Sequence, residues 1–523
     1  MKLAILGGGG VRMPAFVRAV LASRPGMFDE ICLFEPAQER RNTICRLAAG
    51  IADALGHPGV VTVTPDAVQA FTGADYVFSA IRVGGDRGRV IDEEVALTRG
   101  IVGQETTGPG GCAMALRTIP VVLGYCDLLS RCAPDAVLIN FTNPAGLITQ
   151  AISAQGRVRA VGVCDTPGGT VERLGAFLGH GGPGDGEVAA SYAGLNHLGW
   201  VSSVRIGGQE RVGELLARFA ELQGFDHRFA AFDPAMVRRV GAIPTEYVYY
   251  FYDARRYLDG VARAGSSRGQ DVLRLNNELL AALSKAFGSD GVDAAWAAYD
   301  MLLGVRRDTY MHTDMQGDSG QGAARARRAA RPEPGLADAQ VGGYEGLALR
   351  VIDGLSGREP RELIVNTRNG GGTDAPARLS RTAGSDGPLR QTPAPGRADE
   401  RLGRVPAPAG VEGRLGQVPA PAGADGRVSL SFLGPDDVVE VPALVGPGGV
   451  APRPAPGLPA SGQALVMQVK EYERGVVEAA MTGDAGLAGV ALALHPLVPG
   501  ITAARELIAE YRAAHGEHLA YLR

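Results

Sequence analysis

The chain has 523 residues, 45% of them hydrophobic, and a formal net charge of -4. This length predicts two domains, and neither sign of charge dominates, which argues against a nucleic-acid or anionic-membrane partner. The six cysteines lack the paired spacing of a secreted disulfide scaffold. The N-terminal apolar run is short, and no uninterrupted apolar stretch is long enough to span a bilayer, so the sequence predicts a cytoplasmic protein.

The first 35 residues predict the opening of a dinucleotide-binding fold. KLAILGGGG reads as a strand and a glycine turn, VRMPAFVRAVLAS as a helix, and EICLFEP as a second strand that ends at Glu35. Gly7, Gly8 and Gly9 would let the backbone approach a pyrophosphate at the helix N-terminus. Glu35 could accept hydrogen bonds from the ribose hydroxyls, which favours NAD over NADP.

Two features leave this interpretation open. The usual third glycine is absent, because Arg12 and Met13 stand in this region, and Arg40 and Arg41 follow the acidic residue. An arginine near the ribose is the residue type that accommodates the 2′-phosphate of NADP. The alternative to a coenzyme site is a doubly wound domain with a tight turn and no coenzyme.

Strands and helices continue to alternate through residue 165. VVTVT, DYVFSAI, AVLINFTNP and RAVGVCD predict buried strands, and a long helix follows the Gly/Thr-rich loop GIVGQETTGPGG. This order predicts a parallel sheet with helices on both faces. Polar residues follow the strand ends, with Asn140 and Asn143 after one strand and Cys164 and Asp165 after the next. Because such sheets bind ligands at this edge, we place the site there and count Asn140 among the coenzyme contacts.

The stretch 161–200 holds a candidate metal pair. Cys164 lies in VGVCDTP, and His197 joins the two predicted strands of EVAASYAGLNHLGWVSSVRI. A soft metal ion favours a thiolate and an imidazole, and two protein ligands would leave coordination positions for water or substrate. The alternative is two buried residues of a βα unit, since free cysteine is among the most buried residue types.

The second half is predicted to be mainly helical. Within IPTEYVYYFY, four tyrosines at near-helical spacing predict an aromatic packing face, one member of which could act as a base. The Gly-, Ala- and Arg-rich stretch 313–337 predicts an exposed loop, ELIVNTRNGG a strand, and VSLSFLGPDDVVEVPALV a strand pair. Residues 375–427 repeat the motif VPAPAG, and this Pro/Ala/Gly composition predicts a disordered insertion.

Eight motifs occur in an order that is specific to one family. They are the GGGG turn, IRVGG (81–85), GIVGQETTGPGG (100–111), LINFTNPAG (138–146), VGVCDTP (161–167), AGLNHLGW (193–200), IPTEYVYYFY (243–252) and VKEYERGVVEAAMTGD (469–484). Together they resemble the family 4 glycoside hydrolases, the NAD- and metal-dependent phosphoglycosidases, over nearly the whole chain outside the Pro/Ala insertion. The resemblance implies an α/β fold with a Rossmann-type NAD-binding domain at 1–190. A lactate/malate-dehydrogenase-like α+β domain at 191–523 would carry substrate, metal and oligomer contacts.

The resemblance also implies a mechanism. In the family, NAD⁺ takes a hydride from C3 of the sugar, a tyrosinate removes the acidified C2 proton, and the aglycone leaves by elimination; water then adds and the hydride returns. A divalent ion, usually Mn²⁺, chelates the C2 and C3 oxygens as a Lewis acid. This scheme differs from the two-carboxylate mechanism of most glycosidases. It implies a phosphorylated sugar as the partner and a homodimer or homotetramer.

Carried over position by position, the resemblance assigns roles to residues of this chain. They are the metal ligands Cys164 and His197, the base Tyr247 with Tyr250 as its rival, the general acid Asp165, the substrate contacts Arg89 and Asn143, and Arg268 near the sugar phosphate. A guanidinium suits a phosphate dianion through paired hydrogen bonds. The alternative for each arginine is a charge on a helix surface.

The anomer and two other protein classes stay open. Asp165 is typical of members that act on α-linked substrates, whereas LNHLGW and IPTEYVYYFY look like the β-type, and we favour a 6-phospho-β-glucosidase. A 6-phospho-α-glucosidase or α-galactosidase is the alternative. An NAD-dependent 2-hydroxyacid dehydrogenase would have no use for a Cys/His pair. A non-catalytic NAD-binding protein would have no use for Cys164, His197 and Tyr247 together.

Overall fold

The computed structural model describes residues 1–180, 188–289, 291–312, 314, 320–330, 343–371, 428–455 and 457–523. In these residues the strands join in one sheet. The strands are β1 Lys2–Leu6, β2 Glu30–Phe34, β3 Val61–Thr64, β4 Tyr76–Ser79, β5 Val137–Asn140, β6 Arg159–Gly162, β7 Ala189–Leu195, β8 Leu198–Ile206, β9 Gln209–Glu210, β10 Ile243–Pro244, β11 Arg361–Arg368, β12 Val438–Gly446 and β13 Gly449–Pro452.

Helices cover the sheet. They are α1 Met13–Ser23, α2 Gln38–Arg40, α3 Arg46–Ala54, α4 Ala67–Phe71, α5 Gly85–Leu97, α6 Gly108–Cys132, α7 Ala145–Gln155, α8 Asp165–Phe177, α9 Val212–Ala217, α10 Phe219–Phe225, α11 Pro234–Val240, α12 Tyr249–Tyr252, α13 Ala254–Ala264, α14 Arg268–Ser289, α15 Gly291–Asp308, α16 Gln321–Ala329, α17 Gly343–Leu355, α18 Ala460–Thr482, α19 Ala485–Ala493 and α20 Ile501–His515. Short 3₁₀ turns occur at His227–Phe229, Glu246–Val248 and Gly516–Leu519, and a π-turn at Arg41–Cys45.

The N-terminal part of the sheet is parallel, in the order β3-β2-β1-β4-β5-β6. Every residue of β4 and β5 is buried, as expected for strands with helices on both faces. The direction of winding reverses between β1 and β4, and the crevice at their carboxyl ends is where doubly wound sheets bind ligands. The predicted Rossmann-type α/β fold is confirmed.

The sheet continues in the order β6-β11-β12-β7-β8-β10. Asn366 of β11 pairs with Gly162 of β6, and Glu440 of β12 pairs with both Asn366 and Gly194 of β7. Strands β11, β12, β7, β8 and β10 are antiparallel to their successive neighbours. The boundary predicted at residue 190 falls at the start of β7, within this continuous sheet.

The sheet separates two hydrophobic clusters. Ala4 and Leu6 of β1 face one cluster, which includes α6, α7 and the C-terminal helices, and Leu3 and Ile5 face the other, which includes α1, α3 and α14. Alternate residues of a strand point to opposite faces, which explains the division. Helix α6 is long and apolar enough that its length and composition would allow it to cross a membrane. However, 61% of its most apolar 18-residue segment is buried inside the protein, as in a core helix.

Residues 321–329 correct one prediction. The stretch 313–337 was predicted to be an exposed loop, but it contains helix α16. Arg325 forms an ion pair with Glu278 of α14, and Arg328 forms one with Asp300 of α15. Alanine and arginine favour helix, and ion pairs with other helices hold this segment, so the prediction of a loop was wrong at 321–329.

Residues 428–437 correct a second prediction. The expected strand pair has only its second strand, β12, which pairs with β13. The side-chain amide of Asn369 donates to the carbonyl oxygens of Leu430, Leu433 and Gly434 at 2.9, 3.1 and 3.1 Å. These carbonyl oxygens accept hydrogen bonds from a side chain instead of from the backbone of a neighbouring strand. The predicted disordered insertion at 375–427 lies outside the described residues.

Candidate active site

The glycine turn after β1 packs closely against the neighbouring strands. A Cβ at Gly8 would meet the Cβ of Leu33 at 2.6 Å, and one at Gly7, where φ is +96°, would meet the carbonyl oxygen of Ala80 at 2.8 Å. Side chains at these positions would force the turn away from the sheet. Glycine therefore lets the turn lie over the strand ends at the N-terminus of α1.

The carboxylate of Glu35 fixes the other side of this turn. Its Oε2 accepts a 3.0 Å hydrogen bond from the amide of Gly9, and its Oε1 accepts one of 2.9 Å from the amide two residues after Glu35. Arg40 donates to the carbonyl oxygen of Gly9, and Arg41 donates to that of Glu35, both at 2.9 Å. Both arginines are thus engaged with backbone carbonyls beside the turn.

Asn140 ends β5 with its side chain engaged inside the following loop. Its Oδ1 accepts from the amide of Thr142 at 3.1 Å, and its Nδ2 donates to Thr149 Oγ1 at 3.1 Å and to the carbonyl oxygen of Ala145 at 3.3 Å. These contacts hold the loop between β5 and α7. Asn143 lies half-buried in that loop.

Cys164 and Asp165 stand where β6 gives way to α8. Burial, with Glu440 and Asp165 nearby, raises the pKa of the Cys164 thiol well above its ordinary value. The thiol is therefore neutral in the protein alone, and a bound cation is what would convert it to a thiolate. Asp165 is half-buried and lies within electrostatic reach of Arg12.

His197 forms the connection between β7 and β8. Its φ of +63° is unusual for a residue with a side chain and turns the chain sharply at this point. Burial lowers the pKa of the imidazole to about 4, so the ring is neutral at pH 7, which is the form that binds metals. Nδ1 lies 2.8 Å from Thr106 Oγ1, and none of the hydrogen bonds between described residues uses Nε2.

Tyr247 packs directly on His197. The two rings are parallel within 4°, with their centroids 3.7 Å apart. The phenol oxygen of Tyr247 accepts a 2.9 Å hydrogen bond from the hydroxyl of Tyr310. Burial raises the pKa of Tyr247 well above its ordinary value, the Tyr310 bond opposes this rise, and Cys164 adds to it. A nearby cation is therefore needed before this phenol can act as a base near neutral pH.

Tyr250, the rival base, is engaged elsewhere. Its hydroxyl donates a 2.6 Å hydrogen bond to Asp314 Oδ2, and its ring centroid lies 6.2 Å from that of Tyr247. Burial raises the pKa of Tyr250 well above its ordinary value, and Asp314 adds to the rise. The contacts therefore favour Tyr247 over Tyr250 as the tyrosine next to the candidate metal ligands.

Arg89 belongs to a buried cluster of charges. It contacts Glu93 at 2.8 Å and Glu105 at 2.9 Å, and Arg82 contacts the second oxygen of Glu105 at 2.5 Å. Burial alone would raise the pKa of Glu105, but Arg82 and Arg89 lower it to about 2. Glu105 is therefore ionised and holds both arginines at the start of α5.

Arg268 and Arg306 are two more arginines beside this cluster. Arg268 donates to Thr309 Oγ1 at 3.0 Å and to the carbonyl oxygen of Arg306 at 2.7 Å. Burial and the neighbouring Arg89 lower the pKa of Arg268. Burial and Arg12 lower the pKa of Arg306 to about 9. Buried guanidinium groups that repel one another in this way favour a bound anion such as a phosphate.

Sequence reasoning missed Glu440, which connects the two candidate metal ligands. Its Oε1 accepts from Asn196 at 3.1 Å and from Asn366 at 3.0 Å, and its Oε2 accepts from the hydroxyl of Tyr192 at 2.6 Å. Asn196 directly precedes His197. Asn366 pairs with Gly162 of β6, which lies two residues before Cys164. Burial raises the pKa of Glu440 to about 7. The one signal in the sequence was a single acid within the apolar run VVEVPALV.

Three further residues of the site were also missed. Thr106 and Glu105 belong to GQETTGPGG, a motif that identified the loop but not the roles of these side chains. Tyr310 lies at the end of the predicted helical region, and no pattern in the sequence relates it to Tyr247.

The arrangement fits a divalent ion and a dinucleotide. The buried thiol of Cys164 and the neutral imidazole of His197 are two suitable donors, and both lie near Tyr247. No cluster of three His, Cys, Asp or Glu side chains suited to a metal occurs in the described ranges, so further ligands would be water or substrate oxygens. The closely packed glycine turn and the Glu35 carboxylate fit a coenzyme at the crevice.

The fold and this set of side chains define a dinucleotide-binding type of α/β enzyme. A family model for the family 4 glycosyl hydrolases matches residues 2–180, and that for the C-terminal domain of the same family matches residues 192–375 and 426–498. The chain therefore belongs to the family 4 glycosyl hydrolases, which confirms the resemblance seen in the motifs. The two matches omit most of the Pro/Ala-rich insertion.

Relatives named for both anomers are similar to the chain. A probable 6-phospho-beta-glucosidase of Bacillus subtilis is 25% identical over 534 residues, covering 99% of this chain and 97% of that protein. The 6-phospho-alpha-glucosidase 1 of Lacticaseibacillus paracasei is 41% identical over 143 residues, covering 27% of this chain and 32% of that protein. A 6-phospho-beta glucosidase from Thermotoga maritima, solved with manganese, NAD⁺ and glucose-6-phosphate, has the same fold, with a TM-score of 0.70 and 22% identity over 99% of both chains.

Proposed function

We propose that the protein hydrolyses 6-phospho-β-glucosides, such as cellobiose 6-phosphate, to glucose 6-phosphate and an aglycone. The observation that carries the proposal is the packing of the Tyr247 phenol on the neutral imidazole of His197, with the thiol of Cys164 nearby. A phenol in contact with a candidate metal ligand is a suitable base toward a weakly acidic carbon of a sugar. This differs from the two carboxylates that most glycosidases use.

The proposal includes NAD and a divalent ion such as Mn²⁺. When bound, the coenzyme would accept and return a hydride, and the ion would polarise oxygens of the sugar. Cys164 and His197 would hold the ion, and the turn at residues 7–9 with Glu35 would hold the coenzyme. NAD is favoured over NADP because Arg40 donates to the carbonyl oxygen of Gly9 and Arg41 to that of Glu35, so both guanidinium groups already have partners.

The proposal gives each remaining residue the role that the family resemblance implies. Tyr247 would take a proton from the sugar, and Asp165, at the start of α8, would protonate the departing oxygen. Arg268, whose guanidinium lies near Arg89 and Arg306, would bind the phosphate. Arg89 and Asn143 would contact the sugar. A homodimer or homotetramer belongs to the same proposal.

The β anomer is supported by the similarity to a probable 6-phospho-beta-glucosidase along 99% of this chain. Asp165 favours a second candidate, an α-linked substrate, because an acid at this position suits protonation of an α-linked leaving group in the family. A substrate panel separates the two. We expect faster hydrolysis of p-nitrophenyl 6-phospho-β-glucoside than of its α anomer, measured under reducing conditions with NAD and Mn²⁺.

Two controls make this experiment decisive for the mechanism. The first omits NAD, and the second replaces Mn²⁺ with a chelator. We expect hydrolysis to be lost in both. Turnover that persists without both additions would reject the proposed mechanism, and preference for the α anomer would reject the β assignment alone.

A further inference from the structure

We propose that Gln104 and Thr106 are positioning residues that fix the imidazole of His197 in one tautomer, with hydrogen on Nδ1 and the lone pair of Nε2 directed to the site. The consequence of this tautomer for metal binding rests on the proposed function. The tautomer itself follows from hydrogen bonds between Gln104, Thr106 and His197.

The orientation of the Gln104 side-chain amide is the first step. Its Oε1 lies 2.7 Å from the backbone nitrogens of Thr106 and Thr107. A backbone N–H can only donate, so the side-chain atom that receives both bonds must be the carbonyl oxygen.

The hydroxyl of Thr106 is the second step. Its Oγ1 lies 2.8 Å from Gln104 Oε1 and 2.8 Å from His197 Nδ1. The carbonyl oxygen can only accept, so the single hydroxyl proton of Thr106 lies between the two oxygens. The hydroxyl oxygen is then left to accept from Nδ1–H. The opposite arrangement would leave two oxygens 2.8 Å apart without a proton between them.

Burial makes this choice of tautomer stringent. Gln104, Thr106 and His197 are 8%, 9% and 7% exposed, so water has little access to replace a missing partner. The cost of an unsatisfied buried bond favours the Nδ1–H tautomer by about tenfold or more. Histidines that bind metals are commonly held by a hydrogen bond on the other ring nitrogen, and loss of that bond weakens metal affinity about 10- to 100-fold.

The test reads the tautomer directly, in metal-free protein labelled with ¹⁵N in the histidine rings. The chain has 8 histidines, and His197→Asn assigns the signals of residue 197. We expect a protonated Nδ1 and an unprotonated Nε2 in the natural protein. Thr106→Val should shift the population toward the Nε2–H tautomer, and Thr106→Ser, which keeps the hydroxyl, should restore the natural pattern. A proton on Nε2 in the natural protein would overturn the proposal even if no variant folds.

Mn²⁺ titration followed by electron paramagnetic resonance then tests the consequence. We expect Thr106→Val to bind Mn²⁺ about 10- to 100-fold more weakly and Thr106→Ser to bind it normally. An unchanged affinity in Thr106→Val would overturn the positioning role. If the tautomer is as proposed but Mn²⁺ binds equally well to His197→Asn, the ligand assignment in the proposed function fails while the tautomer assignment stands.

Discussion

The imidazole of His197 and the phenol ring of Tyr247 lie face to face, 3.7 Å apart and parallel within 4°. One residue comes from the turn between β7 and β8, and the other from the 3₁₀ turn before α12. Because the rings touch, an ion held by the imidazole would place positive charge beside the Tyr247 ring. A nearby cation is what could lower the pKa of Tyr247, which burial and the neighbouring Cys164 raise.

The base is tested by a pair of tyrosine variants. We expect Tyr247→Phe to reduce kcat about 10²- to 10⁴-fold, as loss of a general base does, and to stop exchange of the C2 proton with solvent deuterium. Tyr250→Phe is the matched control, because its hydroxyl is bonded to Asp314 and should not take part in exchange. Exchange that persists in Tyr247→Phe and stops in Tyr250→Phe would show that the wrong tyrosine was chosen.

The metal ligand is tested by Cys164→Ser. Replacing the thiol should abolish metal-dependent hydrolysis, because a serine hydroxyl is a poor metal ligand near neutral pH. NAD binding, measured by calorimetry, should stay unchanged. Cys132→Ser, at the partly exposed end of α6, is the control for loss of a thiol as such. Full turnover in Cys164→Ser would contradict the ligand role.

The phosphate contact is tested by Arg268→Lys. Lysine keeps the charge but loses the planar pair of donors, so KM for a 6-phosphoglucoside should rise about 10- to 100-fold. Arg263→Lys, on the exposed face at the end of α13, should leave KM unchanged. Equal KM values for the two variants would remove Arg268 from the phosphate site.

Glu440 predicts a dependence of stability on pH. Its pKa is raised from 4.5 to about 7 in the folded protein, so its contribution is fully present below pH 4.5 and is lost as pH rises through about 7. This shift corresponds to about 3 kcal/mol of unfolding free energy. Glu440→Gln can keep the bonds from Asn196 and Asn366 at its carbonyl oxygen and can donate to the Tyr192 oxygen instead of accepting from it. It should therefore remove this dependence.

Urea unfolding of chelator-treated protein at pH 5 and pH 8 measures the effect. The unfolding free energy of the natural protein should fall more between pH 5 and pH 8 than that of Glu440→Gln. Glu478→Gln, on an exposed face of α18, should behave as the natural protein. Identical pH profiles for the natural protein and Glu440→Gln would contradict the raised pKa.

The parts of the fold that the sequence predicts well are those with local causes. The strand, glycine turn and acidic strand end up to Glu35 lie within 35 residues, and each step has its own residue pattern. Cys164, His197 and Tyr247 were identified through motifs. Helix α16 was missed although alanine and arginine favour helix, and its ion pairs through Arg325 and Arg328 join it to other helices.

The contacts between motifs could not be predicted for a similar reason. Glu440 accepts hydrogen bonds from three side chains that precede it by 248, 244 and 74 residues. The sheet brings these residues together only after β11 and β12 insert between β6 and β7. Likewise, the bond from Tyr310 to Tyr247 joins residues 63 positions apart with no shared pattern.

The most direct test of the central claim is the fate of the sugar proton during hydrolysis. The natural protein with NAD and Mn²⁺ would be allowed to hydrolyse p-nitrophenyl 6-phospho-β-glucoside in deuterium oxide, and the released glucose 6-phosphate would be analysed by proton NMR. The account predicts deuterium at C2 of the product. Full hydrolysis with hydrogen retained at C2 would contradict it.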